Sequence, residues 1–210
     1  MRIESLKTTP DRAGRYTVQF DDGTVMRLYR QTVEDFALYT GMQFTDEEYQ
    51  ALLQNAQKVS ARMRAVRIVS AAGVSKKELE SRLIRKGEHP GEAKQAVAWL
   101  EDLHLVDDVQ TARQIVYSCI SKGYGEARAR QVLFEKRIPK ELWNDALADY
   151  PVQSDKISDY LKTRITDPTD RRQVRRAVDA LMRRGHSYRA IREAFDKLSF
   201  DSEDLPEDDL

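Results

Sequence analysis

The sequence predicts a mainly α-helical protein: tandem three-helix repeats in an elongated curved stack, preceded by a small N-terminal β-hairpin extension. Two observations carry this expectation. Apolar residues alternate near the N-terminus, then recur at helical spacing from about Thr45 to Leu198. Three later stretches also align with one another without a gap.

The β character comes first. In residues 15–20 (RYTVQF), Tyr16, Val18 and Phe20 share one face, and Asp21-Asp22-Gly23 supplies turn chemistry before residues 24–29 (TVMRLY). Residues 3–6 are expected to add a third strand, because an isolated hairpin is marginal in water. A short helix over residues 33–39 follows, with Thr32 as N-cap and Gly41 ending it. Thr45 and Glu48 have capping-box spacing. They open a long helix, or two joined ones, over residues 46–72, with Tyr49, Leu52, Leu53, Ala56, Val59, Met63, Val66 and Val69 at helical intervals. Gly73 ends it, and Ser75 with Glu78 opens the next helix. From there to Leu198 the pattern is helical, broken at 87–91, 106–108, 123–125, 138–139, 151, 167–168 and 185–187.

The repeated stretches are residues 83–100 (LIRKGEHPGEAKQAVAWL), 133–150 (LFEKRIPKELWNDALADY) and 181–198 (LMRRGHSYRAIREAFDKL). Each opens with Leu and an apolar residue, passes a basic pair near a helix end, breaks, and resumes with Ala then a large apolar residue. Those pairs are Ala96-Val97, Ala146-Leu147 and Ala194-Phe195. Four residues before each Leu stands Leu79, Ala129 or Ala177, its partner on the buried stripe. Short helices of this kind bury one face among themselves and another against the next unit, giving an extended surface. The expected organisation is an extension over 1–57, repeats over 58–106, 107–150 and 151–198, and an acidic tail over 199–210.

Formal net charge is zero, but it is segregated. Residues 1–57 hold 6 basic and 9 acidic residues, net −3; residues 58–193 hold 28 and 19, net +9; residues 196–210 hold 1 and 7, net −6. A cationic middle suits an anionic partner such as nucleic acid. The tail, with Glu203, Asp204, Glu207, Asp208 and Asp209, either solvates the terminus or competes for the basic surface. No apolar run approaches the roughly 18 residues of a membrane span and no signal peptide is visible, so a cytoplasmic protein is expected.

Catalytic constellations are missing from the sequence, and no enzyme is expected. His89, His104 and His186 are isolated, with no second ligand at metal-binding spacing. Gly123-Tyr124-Gly125 breaks a helix but lacks the third glycine and preceding strand of a nucleotide loop. Asp107-Asp108 is placed to cap a helix, and Cys119 sits among core residues as a small hydrophobe. No cofactor is expected.

Basic residues on helix faces remain. In residues 170–184 (DRRQVRRAVDALMRR), Val174, Ala177, Val178, Leu181 and Met182 form one stripe, which turns Arg172, Arg176 and Arg183 to the opposite face with Arg175 to one side. Asp179 is one turn from both Arg175 and Arg183 and able to pair with them. Residues 169–195 still carry 8 basic and 3 acidic residues, net +5. Arg184 closes this segment, Arg82, Arg85 and Lys86 occupy comparable places in the first repeat, and Arg128, Arg130, Lys136 and Arg137 do so in the second.

Ser75 to Leu79 (SKKEL), then Leu83, Arg85-Lys86-Gly87, Ala98-Trp99-Leu100 and Val106-Asp107-Asp108 resemble the first repeat of the RecX family. Ala112, Arg113 and Val116, then Lys122 to Gly125 (KGYG), Ala129 and residues 133–138 are similar to its second repeat, with Arg137 where Gly is usual; that departure implies a different helix end. Leu181 to Tyr188 (LMRRGHSY), with Ile191 and Ala194, resembles its third. The resemblance implies a protein without catalytic residues that lodges in the groove of a RecA filament on DNA. There it limits filament extension, ATP turnover and strand exchange. A monomer is expected, and its basic rows suit single- or double-stranded DNA independently of base sequence. Two other readings compete: a free-standing DNA-binding protein acting without RecA, and an interaction scaffold docking through its hairpin.

Overall fold

The computed structural model describes residues 1–198, so the acidic tail lies outside the described residues. The chain forms two compact units, one over Met1–Val106 and one from Asp107 onward.

The first unit starts with a three-stranded antiparallel sheet, β1 (Ile3–Leu6), β2 (Arg15–Phe20) and β3 (Val25–Tyr29), in that spatial order. The alternation buries Val18 and Phe20, and Asp22 fixes the turn by accepting from the Thr24 backbone N–H at 2.8 Å. The third strand is therefore present. The helix that follows, α1 (Arg30–Asp35), begins earlier than its sequence suggested, and Thr32 does not cap it. Thr32 is fully buried inside α1, and its hydroxyl donates to Asn55 Oδ1 at 2.9 Å, a partner 23 residues away that local reasoning cannot supply.

Residues 46–71 form one continuous helix, α2 (Asp46–Ala71), which runs through the junction expected at residue 57. Thr45 caps it with the reciprocal Glu48 bond. Its first half seals the sheet, with Leu52 in the cluster of Ile3, Val18, Phe20, Leu28 and Phe44. Its second half packs on α3 (Lys76–Arg85) and α4 (Pro90–Asp102). Here the buried stripe is not the expected one. Met63 is exposed, and Ala61, Ala65 and Ile68 enter the core beside Ala93 and Ala96 of α4. Small residues on both helices permit close approach, so burial follows steric fit and not side-chain hydrophobicity alone.

The second unit holds α5 (Asp108–Ser121), α6 (Glu126–Glu135), a 3-10 turn at Lys140–Leu142, α7 (Trp143–Leu147), α8 (Ser154–Arg164), α9 (Arg171–Arg183) and α10 (Tyr188–Lys197). Each expected break separates two of these helices. Asp107 caps α5 by accepting from Val109 and Gln110, and His89 Nδ1 accepts from Gly91 at the start of α4. One core contains Ala112, Val116, Cys119, Ala129, Leu133 and Leu147; another contains Ile157, Leu161, Val174, Ala177, Val178, Leu181, Ile191, Ala194 and Phe195. The aligned leucines Leu83, Leu133 and Leu181 are at most 1% exposed.

The helices end alike. After α3, Gly87 and Glu88 donate to Ile84 and Leu83; after α6, Arg137 and Ile138 donate to Phe134 and Leu133; after α9, Gly185 and His186 donate to Met182 and Leu181. This is the Schellman pairing, and it needs a left-handed residue. Gly87 and Gly185 supply it with φ 91° and 86°, and Arg137 supplies it with φ 56°. The different helix end implied by Arg137 is thus corrected: backbone bonding preserves the motif and the arginine adopts the strained conformation.

Gly125 and Gly185 cross at van der Waals limits. A Cβ on Gly125 would collide with the Gly185 carbonyl, and one on Gly185 would lie 2.7 Å from Arg128 Cβ. The crossing places the Arg184 carbonyl on the Gly125 N–H at 2.9 Å and the Gly185 carbonyl on the Ala127 N–H at 3.3 Å. α6 has no side-chain cap, and carbonyls at the end of α9 satisfy two donors at its start, with helix dipoles favourably opposed. His186 Nε2 donates to the Gly123 carbonyl at 3.1 Å, which requires the proton on Nε2. Tyr150 Oη donates to the Tyr124 carbonyl at 2.6 Å, and burial pushes the Tyr150 hydroxyl up to about 12. Lys156 Nζ donates to the Ile120 and Ser121 carbonyls at 2.7 and 3.0 Å.

Three stability outcomes follow from this geometry. Gly185→Ala adds an overpacked methyl at a left-handed residue and is expected to cost about 3 kcal/mol or more in urea unfolding of the full chain. Arg137→Gly relieves about 1–2 kcal/mol of left-handed strain against about 0.5–1 kcal/mol of added chain entropy, so a net gain of about 0.5–1 kcal/mol is expected. Burial lowers the His186 imidazole below its ordinary 6.5, with Arg184 adding to the shift and the Gly123 bond opposing it. The unfolded chain then binds the proton more readily, so this contribution is full above pH 6.5 and lost as pH falls through the lowered folded value. Unfolding midpoints for wild type and His186→Gln should accordingly differ most above pH 6.5 and converge under acid; a constant difference would contradict the assignment.

Candidate basic surface

α9 carries the clearest cationic face. Its sequence puts Val174, Ala177, Val178 and Leu181 into the core, so Arg172, Arg175, Arg176 and Arg183 are exposed, as the spacing predicts. Asp170 caps the helix by accepting from Arg172 at 2.9 Å and Gln173 at 3.4 Å. Asp179 makes no ion pair with Arg175 or Arg183 among the described residues, so local neutralisation does not consume this row.

The other basic residues are differently placed. Arg184 is half-buried, its guanidinium carbon 5.2 Å from the Tyr160 ring centre, and Arg164 approaches the same ring at 5.7 Å. Arg128 pairs with Glu135 at 3.1 Å and lies against Gly185, and Arg130 pairs with Glu126 at 2.8 Å. Both therefore have structural partners at or near the α6–α9 crossing. Lys136 is half-buried and Arg137 exposed at the end of α6.

In the first unit Arg85 is exposed at the end of α3. Arg82 and Lys86 are brought beside Arg64 and Arg67 of α2, around a floor of Ile68 and Ala71. Arg82 pairs with Glu78, and Arg64 Nε pairs with the nearly buried Glu88 at 3.1 Å. Sequence reasoning did not single out Arg64 and Arg67. Their i, i+3 spacing was a usable signal, but which side of α2 faces α3 depends on the Ala61 and Ala65 packing.

Burial raises the Cys119 thiol above its usual range, with Lys122 and Arg128 partly opposing, so the thiolate is disfavoured. Among the described residues no group of three His, Cys, Asp or Glu side chains is placed to hold a metal ion, and no helix is long and apolar enough to cross a membrane.

No family model matches the chain. It is similar to Regulatory protein RecX of Xanthomonas axonopodis pv. citri (strain 306), with 33% identity over 144 residues, covering 67% of this chain and 87% of that protein. Regulatory protein RecX of Vibrio parahaemolyticus serotype O3:K6 (strain RIMD 2210633) is 27% identical over 154 residues, covering 72% and 97%. Among solved structures, a crystal structure of regulatory protein RecX superposes with TM-score 0.61 at 18% identity, covering 95% of this chain and 99% of that one. The crystal structure of RecX from Lactobacillus salivarius gives 0.61 at 21%, covering 69% and 98%. These two likenesses bear on the fold; the Xanthomonas identity, extending over most of that protein, carries the relationship. The chain belongs to the RecX family of regulatory proteins.

Proposed function

We propose that this protein regulates RecA by binding its filaments on DNA and restraining their extension, ATP hydrolysis and recombinase activity. The observation that carries the reading is the arginine face of α9, presented by a member of a family of regulatory proteins. Exposed arginines without local acidic partners suit phosphates or acidic protein surface, and they supply affinity without base discrimination. The three-helix units over residues 58–106, 107–150 and 151–198 would act together as a monomer in the cytoplasm, with 1–57 as an appended module. The remaining basic candidates, Arg82, Arg85, Lys86, Arg128, Arg130, Lys136, Arg137 and Arg184, belong to the same proposed contact set.

Full-length protein titrated, well below RecA concentration, into RecA assembled on single-stranded DNA is expected to reduce ATP hydrolysis progressively. Arg172→Glu with Arg176→Glu should weaken that inhibition by at least about tenfold, if each reversal costs roughly 1 kcal/mol of favourable interaction. Wild-type protein without effect at any ratio, yet binding DNA tightly alone, would transfer the reading to a free-standing DNA-binding protein.

A further inference from the structure

We infer that the groove between α2 and α3 is a second nucleic-acid site, which holds the phosphodiester backbone of one DNA strand. This rests on the DNA contact in the reading above and assigns part of it to residues of the first unit, distinct from the α9 arginines. Arg64 and Arg67 form one ledge, Arg82 and Lys86 the other, over Ile68 and Ala71. Glu78 and Glu88 answer two of the four cations, leaving an excess of two positive charges in the groove.

The two α2 arginines are held in place before any ligand arrives. Arg64 bonds Glu88 and the Lys86 carbonyl; Arg67 bonds the Ala13 carbonyl and lies 5.7 Å over the Tyr29 ring. A guanidinium has five N–H donors, so these bonds orient each fork and leave most of it available for an anion. Lys86 is exposed and has no ion pair among the described residues. Preorganised cations lose less entropy on binding than mobile surface lysines.

The dimensions favour a strand over an isolated anion or a duplex. Cations on each ledge are separated by about one helical turn, some 5 Å along the axis, so neighbouring phosphates can meet both members of a ledge. α2 and α3 pack directly on each other, and the surface furrow along their contact offers the sugars of a single backbone an apolar floor at Ile68 and Ala71. An acidic peptide is the competing occupant, but the regular charge of a phosphodiester chain fits cations spaced a helical turn apart on both sides of the groove better.

The test is the salt dependence of full-length protein binding a fluorescent oligothymidylate without RecA. Arg67→Gln with Lys86→Gln spares the Arg64–Glu88 pair and is expected to reduce the magnitude of the log affinity against log salt slope by about 1.4, from two contacts at about 0.7 each. Between about 50 and 200 mM salt, this makes the affinity loss about sevenfold smaller. Arg67→Lys with Lys86→Arg should retain the wild-type slope, which separates lost charge from altered folding. A wild-type slope in the glutamine variant would overturn the groove, as would weakened binding of a polyglutamate peptide with DNA binding unchanged. RecA ATP hydrolysis measured on the same proteins reports separately: wild type failing to inhibit sinks the regulator reading, while the slope still decides the groove.

Discussion

Short helices must end before they can be stacked, and for α3, α6 and α9 the ending is a left-handed residue with two backbone bonds closing over it. Leu83, Leu133 and Leu181 each lie buried while their carbonyls accept the longer of those bonds. One residue thus anchors the core and fixes the direction in which the chain leaves the helix. The repetition in the sequence is a repetition of this corner. That explains why the pattern survives Arg137: the bonds and the buried leucine together outweigh the local cost of a side chain at positive φ.

A second constraint joins the helices of the second unit. Gly125 and Gly185 allow two turns to meet through their backbones, and α6 receives its cap from the carbonyls that end α9. Two donors at the start of α6, which has no side-chain cap, are met in this way. His186, Tyr150 and Lys156 close the same region onto carbonyls from residues 120–124. These bonds tie the start of α6 to the end of α9, the helix that carries the arginine row.

Charge separates into two kinds of position. Arg128, Arg130 and Arg184 have carboxylate or aromatic partners that hold the scaffold, whereas Arg172, Arg175, Arg176 and Arg183 face solvent without such partners among the described residues. The α2–α3 groove stands between these extremes, since its arginines are oriented by protein contacts yet retain donors. Counting basic residues in a segment does not distinguish these cases; partners do.

By itself the sequence determined the helical class, the hairpin, the breaks, the repeated leucines and the exposed face of α9. These follow from short-range periodicity, turn chemistry and amphipathic spacing, which tertiary contacts here reinforce. Tertiary structure decided that α2 is one helix serving two cores, that Ala61 and Ala65 displace Met63 from its inner face, and that Thr32 bonds to Asn55. It also decided that Arg64 and Arg67 meet Arg82 and Lys86, and that two glycines cross. Each of these outcomes depends on atoms brought together by packing from distant positions in the chain, where close approach and hydrogen-bond partners override local propensity.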